Sequence, residues 1–107
     1  DQVPADAKTL KEAAYWQIMS VAVKVTDGPI RNYAEGIIRE ADCPTSQSVE
    51  DLDHGVAIVG TGIENGIEYF ILKNSWGARW GEQGYFRLEI GNTCGVTLQA
   101  TYPAYRC

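Results

Sequence analysis

The 107-residue chain is 45% apolar and 21% charged and carries a net charge of −5. Those proportions fit one folded domain with a modest core and exclude a disordered chain, which lacks the apolar side chains to offset the entropy of ordering. No basic run marks a nucleic-acid footprint, and no apolar stretch nears the ~20 residues that span a bilayer, so neither nucleic acid nor membrane is an expected partner.

The chain opens Asp1-Gln2-Val3, without an initiator Met or a basic segment leading into an apolar one, and so reads as a processed chain or a fragment. Residues 6–17 predict one helix with Leu10, Ala13, Ala14 and Gln17 on its apolar face. Two starts compete for it. Thr9 and Glu12 have capping-box spacing, and Asp6 is an alternative cap one turn earlier. Ser20–Val25 alternates and is β-branched, which predicts a strand. Asp27-Gly28-Pro29 predicts a turn, and residues 30–36 a short helical turn ending at Gly36. Residues 40–53 are polar, contain Pro44, and predict a surface loop.

Three further strands are expected. Gly55–Val59 is a short apolar run, followed by a Gly-rich turn around Gly60–Gly66, and Ile67–Lys73 is the second. Gly84–Ile90 alternates, with Tyr85, Arg87 and Glu89 on one face and Phe86, Leu88 and Ile90 on the other. One helix followed by antiparallel strands predicts an α+β or mostly-β half-barrel.

Three cysteines, Cys43, Cys94 and Cys107, are widely spaced. They form no CxxC pair, and with one histidine they complete no zinc pattern, so neither metal nor cofactor is expected. Wide spacing fits disulfides in an oxidising compartment, with one thiol free or bonded to another chain. Three reduced, buried cysteines are the alternative.

The single histidine, His54, sits at the mouth of an apolar strand between Asp53 and Gly55. A strand end holds the backbone while an imidazole, whose unperturbed pKa is close to neutral, faces a cleft. Asn74 ends the next predicted strand, and antiparallel pairing brings the start of one strand near the end of the other. An amide oxygen there would accept from one ring N–H and fix the tautomer, which is the orienting role in a nucleophile–base–orienter triad. The plainer alternative is that His54 is structural and Asn74 opens a turn. The run Asn74-Ser75-Trp76-Gly77-Ala78-Arg79-Trp80-Gly81-Glu82-Gln83-Gly84-Tyr85 weighs against it. Two tryptophans among glycines are too large and too closely set for a plain loop, and an indole over a His–Asn hydrogen bond would exclude water.

These segments resemble the papain-like cysteine proteases. The resemblance is carried by Leu52-Asp53-His54-Gly55-Val56-Ala57-Ile58-Val59-Gly60, by Tyr69-Phe70-Ile71-Leu72-Lys73-Asn74-Ser75-Trp76-Gly77, and by Trp80-Gly81-Glu82-Gln83-Gly84-Tyr85. It extends through Cys94-Gly95 to Tyr102-Pro103, and upstream through Cys43, Ser20-Val21-Ala22 and the helix to Val3-Pro4. It implies the right-domain half of the papain-like fold, an antiparallel β half-barrel with a packing helix. It also implies a cysteine-type peptidase in which His54 is the general base and acid, Asn74 its orienter and Trp76 the shield. Trp80 would lie near the leaving-group side of the cleft. Ala22, Leu52, Asp53 and Gln99 would belong to the substrate pocket, with Gln99 placing a polar group at its floor. Cys43 and Cys94 occupy the places of a family disulfide, closing a loop of about fifty residues.

Two features depart from the family pattern. Tyr15-Trp16-Gln17-Ile18-Met19 stands where the family often has Gly-Pro, and Cys107 has no usual counterpart, so it either pairs with a cysteine elsewhere or is free. The family nucleophile sits in C-G-[SA]-C-[WY], roughly 130–150 residues before the active-site His and Asn. Only 53 residues precede His54, and none of the three cysteines has that context. The resemblance therefore implies a single C-terminal domain over residues 1–107, with the nucleophile domain absent. The expected partners are the domain or chain that carries the nucleophilic Cys, peptide or protein substrates, and protein inhibitors. The expected location is secreted or lysosomal/vacuolar. Alone, the chain should be inactive and marginally stable, because the face that meets its partner would be uncovered. A solitary, non-catalytic binding domain of the same descent is the alternative.

Overall fold

The computed structural model describes residues 2–3, 6–26, 28–43 and 49–101. Pro4, Asp27, Pro44, Tyr102, Pro103 and Cys107 lie outside the described residues. One helix, α1 (Ala7–Trp16), packs on a seven-stranded sheet. The strands are β1 (Gln2–Val3), β2 (Met19–Val23), β3 (Ile37–Ile38), β4 (His54–Glu64), β5 (Ile67–Lys73), β6 (Tyr85–Glu89) and β7 (Ala100–Thr101). Their order is β1-β7-β2-β4-β5-β6-β3, and the outermost strands do not pair with each other, so the sheet stays open.

Asp6 wins the competition for the helix start. Its carboxylate accepts the Thr9 backbone N–H at 3.0 Å and the Thr9 hydroxyl at 2.8 Å. A carboxylate satisfies an orphan first-turn donor three residues on, and Thr9 is then inside the helix and cannot cap it. Leu10 and Ala14 are buried and Ala13 packs against them. Gln17, expected on the same face, is instead the exposed, extended residue at which the helix stops.

The expected Gly60–Gly66 turn is wrong, and the structure gives the reason. β4 continues through Gly60 and Gly62 to Glu64, with one register shift between Ile58 and Gly60, and with Thr61 opposite Phe70 and Gly62 opposite Tyr69. The Tyr69 ring lies across Gly62 so closely that a Cβ there would sit 2.6 Å from its hydroxyl. Gly62 therefore marks a close approach within a strand. The chain reverses only at Asn65-Gly66, where both residues have positive φ (53° and 82°), the conformation that suits a two-residue hairpin loop.

Residues 30–36 form no helix either. Ile30 and Tyr33 both insert into the core, and the chain between them is a tight turn closed by Tyr33 N–H to Ile30 O at 3.1 Å. The tyrosine hydroxyl donates to Gly36 O at 2.6 Å. The expected loop over residues 40–53 contains short 3-10 turns at Glu40–Asp42 and Val49–Asp51. Not every strand pair is antiparallel, because β3 runs parallel to β6.

The alternation expected for β6 holds. Phe86 and Leu88 are fully buried, while Tyr85, Arg87 and Glu89 are half-buried on the other face. The core gathers Leu10 from α1, Met19, Val21 and Val23 from β2, Ile58 from β4, and Phe70 and Leu72 from β5. Burying a side chain of this size contributes roughly 1.5–3 kcal/mol. Cys43 and Cys94 are joined in a disulfide with Cα atoms 5.2 Å apart across 51 residues. It ties the segment after β3 to the 3-10 turn Thr93–Gly95 that leads towards β7.

Candidate active site

β4 begins before β5 ends. Their pairing starts at Ala57–Lys73, so the first three residues of β4 project past the last rung of that ladder. On its other edge β4 stays paired to β2, with His54 opposite Val23. The backbone of His54 is thus held by one neighbour while its side chain crosses the open end of the other. Asn74, the residue after β5, sits at that end, anchored by its N–H to Gly84 O at 3.0 Å.

His54 Nε2 lies 2.8 Å from Asn74 Oδ1. The same oxygen accepts the Ser75 backbone N–H at 2.7 Å. A main-chain N–H can only donate, so the amide atom facing it is the oxygen, and a flipped amide would set two donors against each other. Nε2 must then carry a proton to donate to Oδ1. Nδ1 is left as the basic atom of the neutral ring. Asn74 is only 5% exposed, so the bond is sheltered from competing water.

Trp76 lies over the His54 ring. Its ring centroid is 4.9 Å from that of His54 with the planes tilted by 31°. Trp80 meets Trp76 edge-on at 5.2 Å and Phe86 at 5.3 Å, so the aromatic chain runs from the imidazole into the core. The Trp80 indole N–H donates to Arg31 O at 3.2 Å. The loop bearing both tryptophans is closed by Glu82. Its carboxylate accepts from Arg87 Nε at 3.1 Å and Nη2 at 2.9 Å, and from Gly36 N–H at 3.0 Å. Arg87 also bonds Glu64 at 2.8 Å and lies over the Tyr69 ring. Burial alone would raise the Glu82 carboxyl, but the Arg87 guanidinium and the Gly36 N–H outweigh it and leave the group below its ordinary pKa. Burial and the nearby Glu82 charge push the Tyr33 phenol up to about 12.

Asp53 anchors backbone beside the site. One carboxylate oxygen accepts Val25 N–H at 2.7 Å, and the other accepts Thr26 N–H at 3.1 Å and the Thr26 hydroxyl. The Thr26 hydroxyl and these N–H donors hold its pKa below the usual carboxylate value. Asp53 clamps the chain after β2 directly beside His54.

Two depressions contain residues expected at the site. One, of about 330 Å³, is lined by Val25, Thr26, Arg31, Asp53, His54 and Trp76. The other, of about 160 Å³, is lined by Ser20, Val21, Ala22, Gln99 and Thr101, and the Ala22 N–H donates to Gln99 O at 3.3 Å. Of the expected pocket residues, Ala22 and Gln99 therefore come together. Asp53 faces the other depression, and half-buried Leu52 lines neither. Trp80 sits one ring behind Trp76 and reaches the first depression only through Trp76 and the Arg31 backbone. The Ser75 N–H, the Asp53 clamp and Arg31 were not singled out from the sequence. The first two act through backbone donors, which every residue has, and Arg31 carries no motif.

Among known proteins, the profile described as papain family cysteine protease matches residues 1–104. Oryzain gamma chain of Oryza sativa subsp. japonica is 46% identical over 86 residues, which are 79% of this chain and 23% of that protein. Cathepsin L-like proteinase of Phaedon cochleariae is 42% identical over 104 residues, covering 95% of this chain and 31% of that one. Among solved structures, bromelain protease from Ananas comosus in complex with the E64 inhibitor superposes with a TM-score of 0.82 at 31% identity, covering 98% of this chain and 49% of that one. Digestive procathepsin L 3 of Tenebrio molitor gives a TM-score of 0.83 at 38% identity, covering 97% and 34%. The chain thus spans less than a third of these curated relatives and at most half of these solved chains. The chain belongs to the papain family of cysteine proteases.

Proposed function

We propose that these residues form the acid–base half of a cysteine-type peptidase, as its C-terminal domain, with the nucleophilic cysteine on a segment or partner chain outside residues 1–107. The observation that carries this is the Asn74 Oδ1 contact. By holding the proton on His54 Nε2, it leaves Nδ1 free to take a proton from a thiol. Cys43 and Cys94 are joined to each other, so neither supplies that thiol.

In the proposed reaction, Nδ1 draws the thiol proton and leaves a thiolate beside an imidazolium. The thiolate attacks the peptide carbonyl, and His54 returns the proton to the leaving amine. Water, deprotonated by the same nitrogen, then attacks the thioester and frees the acid. Asn74 keeps the ring in one orientation throughout, and Trp76 keeps water from the Nε2 bond. The depression at Ala22 and Gln99 is suited to a substrate side chain. The disulfide supports an oxidising compartment, outside the cell or in a lysosome or vacuole.

The test uses the longer protein that contains this chain. It should hydrolyse peptides and be labelled by a thiol-directed epoxide, and His54→Ala should abolish peptidase activity while the disulfide and fold remain. Peptidase activity that survives His54→Ala sinks the assignment. Binding without hydrolysis in the intact wild-type protein would favour a non-catalytic module.

A further inference from the structure

The depression beside His54 contains a cation that the acid–base chemistry does not use. Arg31 lines it together with His54 and Trp76. Its backbone is held on several sides. Ile30 before it is fully buried, Tyr33 two residues on is 8% exposed, and the two close a turn by a 3.1 Å hydrogen bond. The Trp80 indole grips the Arg31 carbonyl at 3.2 Å. The side chain, by contrast, is exposed, and its guanidinium makes no hydrogen bond or ion pair with any described residue. A fixed backbone with an unengaged, permanently charged head is suited to meeting a ligand group.

The other charged side chain in the depression is differently disposed. Both oxygens of Asp53 are turned towards Val25 and Thr26, where three donors occupy them. Arg31 is therefore the ionic group here with its donors still free, among the described residues. A leaving amine that takes a proton from His54 must come within hydrogen-bond reach of the imidazole. The depression that His54 lines is the space beside the ring open to the residues that follow that amine.

We infer that Arg31 is a specificity-determining residue that selects a carboxylate on the leaving side of the scissile bond. This rests on the reading of His54 as the group that protonates the leaving amine. The guanidinium fork matches a carboxylate with two parallel hydrogen bonds, which a neutral amide cannot reproduce. The carboxylate has two sources: an Asp or Glu side chain of the leaving segment, or the chain-terminal carboxylate of a short one. Because Arg31 is exposed and Asp53 remains ionised nearby, the selection is modest, about three- to fivefold in kcat/KM.

The experiment compares three peptides on the longer protease. One has Gln on the leaving side and a carboxamide end, one has Glu with a carboxamide end, and one has Gln with a free terminal carboxylate. At least one carboxylate peptide should exceed the neutral one by about three- to fivefold, and which one identifies the source. Arg31→Gln should bring that ratio to about one, and Arg31→Glu should push it below one. Raising the salt concentration should shrink the wild-type ratio. A wild-type ratio of one for both carboxylates, or a preference that survives Arg31→Gln, overturns the inference while cleavage of the neutral peptide still supports the role of His54. If the neutral peptide is not cleaved, or is cleaved equally after His54→Ala, the role of His54 fails and this inference fails with it.

Discussion

The backbone N–H of Ser75 donates to Oδ1 of Asn74 at 2.7 Å, and this bond to the next residue decides which end of the amide faces His54. With the oxygen committed, Nε2 of His54 becomes the donor at 2.8 Å and Nδ1 the proton acceptor. The tautomer of the only histidine is thus set by a peptide N–H that no substitution at position 75 other than proline removes.

Replacing Asn74 should therefore cost rate more than fold. In Asn74→Ala the imidazole loses its tautomer preference and its buried partner, and kcat should fall about 10- to 100-fold in the intact protease. Asn74→Asp keeps an acceptor in place and should retain more activity than Asn74→Ala. Steady-state kinetics of both variants check this. Equal losses in the two would mean that Asn74 matters for packing and not as an acceptor.

The disulfide should dominate the stability of the segment it closes. Cross-linking across 51 residues stabilises by about 4 kcal/mol in the chain-entropy picture. The double variant Cys43→Ser, Cys94→Ser should unfold at a markedly lower denaturant concentration than the parent, as followed by tryptophan fluorescence. An unchanged midpoint would show that the core alone holds that region.

Acid should loosen the loop that carries the two tryptophans together with the segments that Asp53 and Glu89 hold. The Arg39 guanidinium and the Glu40 N–H hold Glu89 below its ordinary pKa, Thr26 and Val25 do the same for Asp53, and Arg87 and Gly36 outweigh burial at Glu82. A carboxylate with a folded-state pKa below its unfolded value stabilises the fold above the unfolded value, and loses that contribution as pH falls through the folded one. Stability should thus be flat near neutrality and decline below about pH 4. Glu82→Gln should flatten part of that decline and lower stability at neutral pH, since the Arg87 guanidinium then loses its bidentate partner. Thermal unfolding of parent and variant between neutrality and strong acid reads both effects. Parallel curves would remove Glu82 from the account.

Much of this protein could be read along the chain. The alternation of Tyr85 through Ile90 and the apolar runs of β4 and β5 report on which face of a pleated strand meets a core, and that is a local property of residue order. So is the association of His54 with Asn74, because antiparallel pairing of adjacent strands brings their ends together. The glycines misled: Gly60 and Gly62 suggested a reversal, yet the Tyr69 ring needs Gly62 inside the strand, a constraint that lies across the ladder and not along the sequence. The helical turn expected over residues 30–36 gave way to a tight turn at Ile30–Tyr33 for the same reason, since that turn is shaped by two side chains entering a core built from other segments. Local order thus determined β2, β5, β6 and the first part of β4, and the identity of the His–Asn pair. Only the tertiary structure decided the histidine tautomer, the clamp at Asp53 and the neighbours of Arg31, because each depends on backbone donors and side chains brought together from segments far apart in the chain.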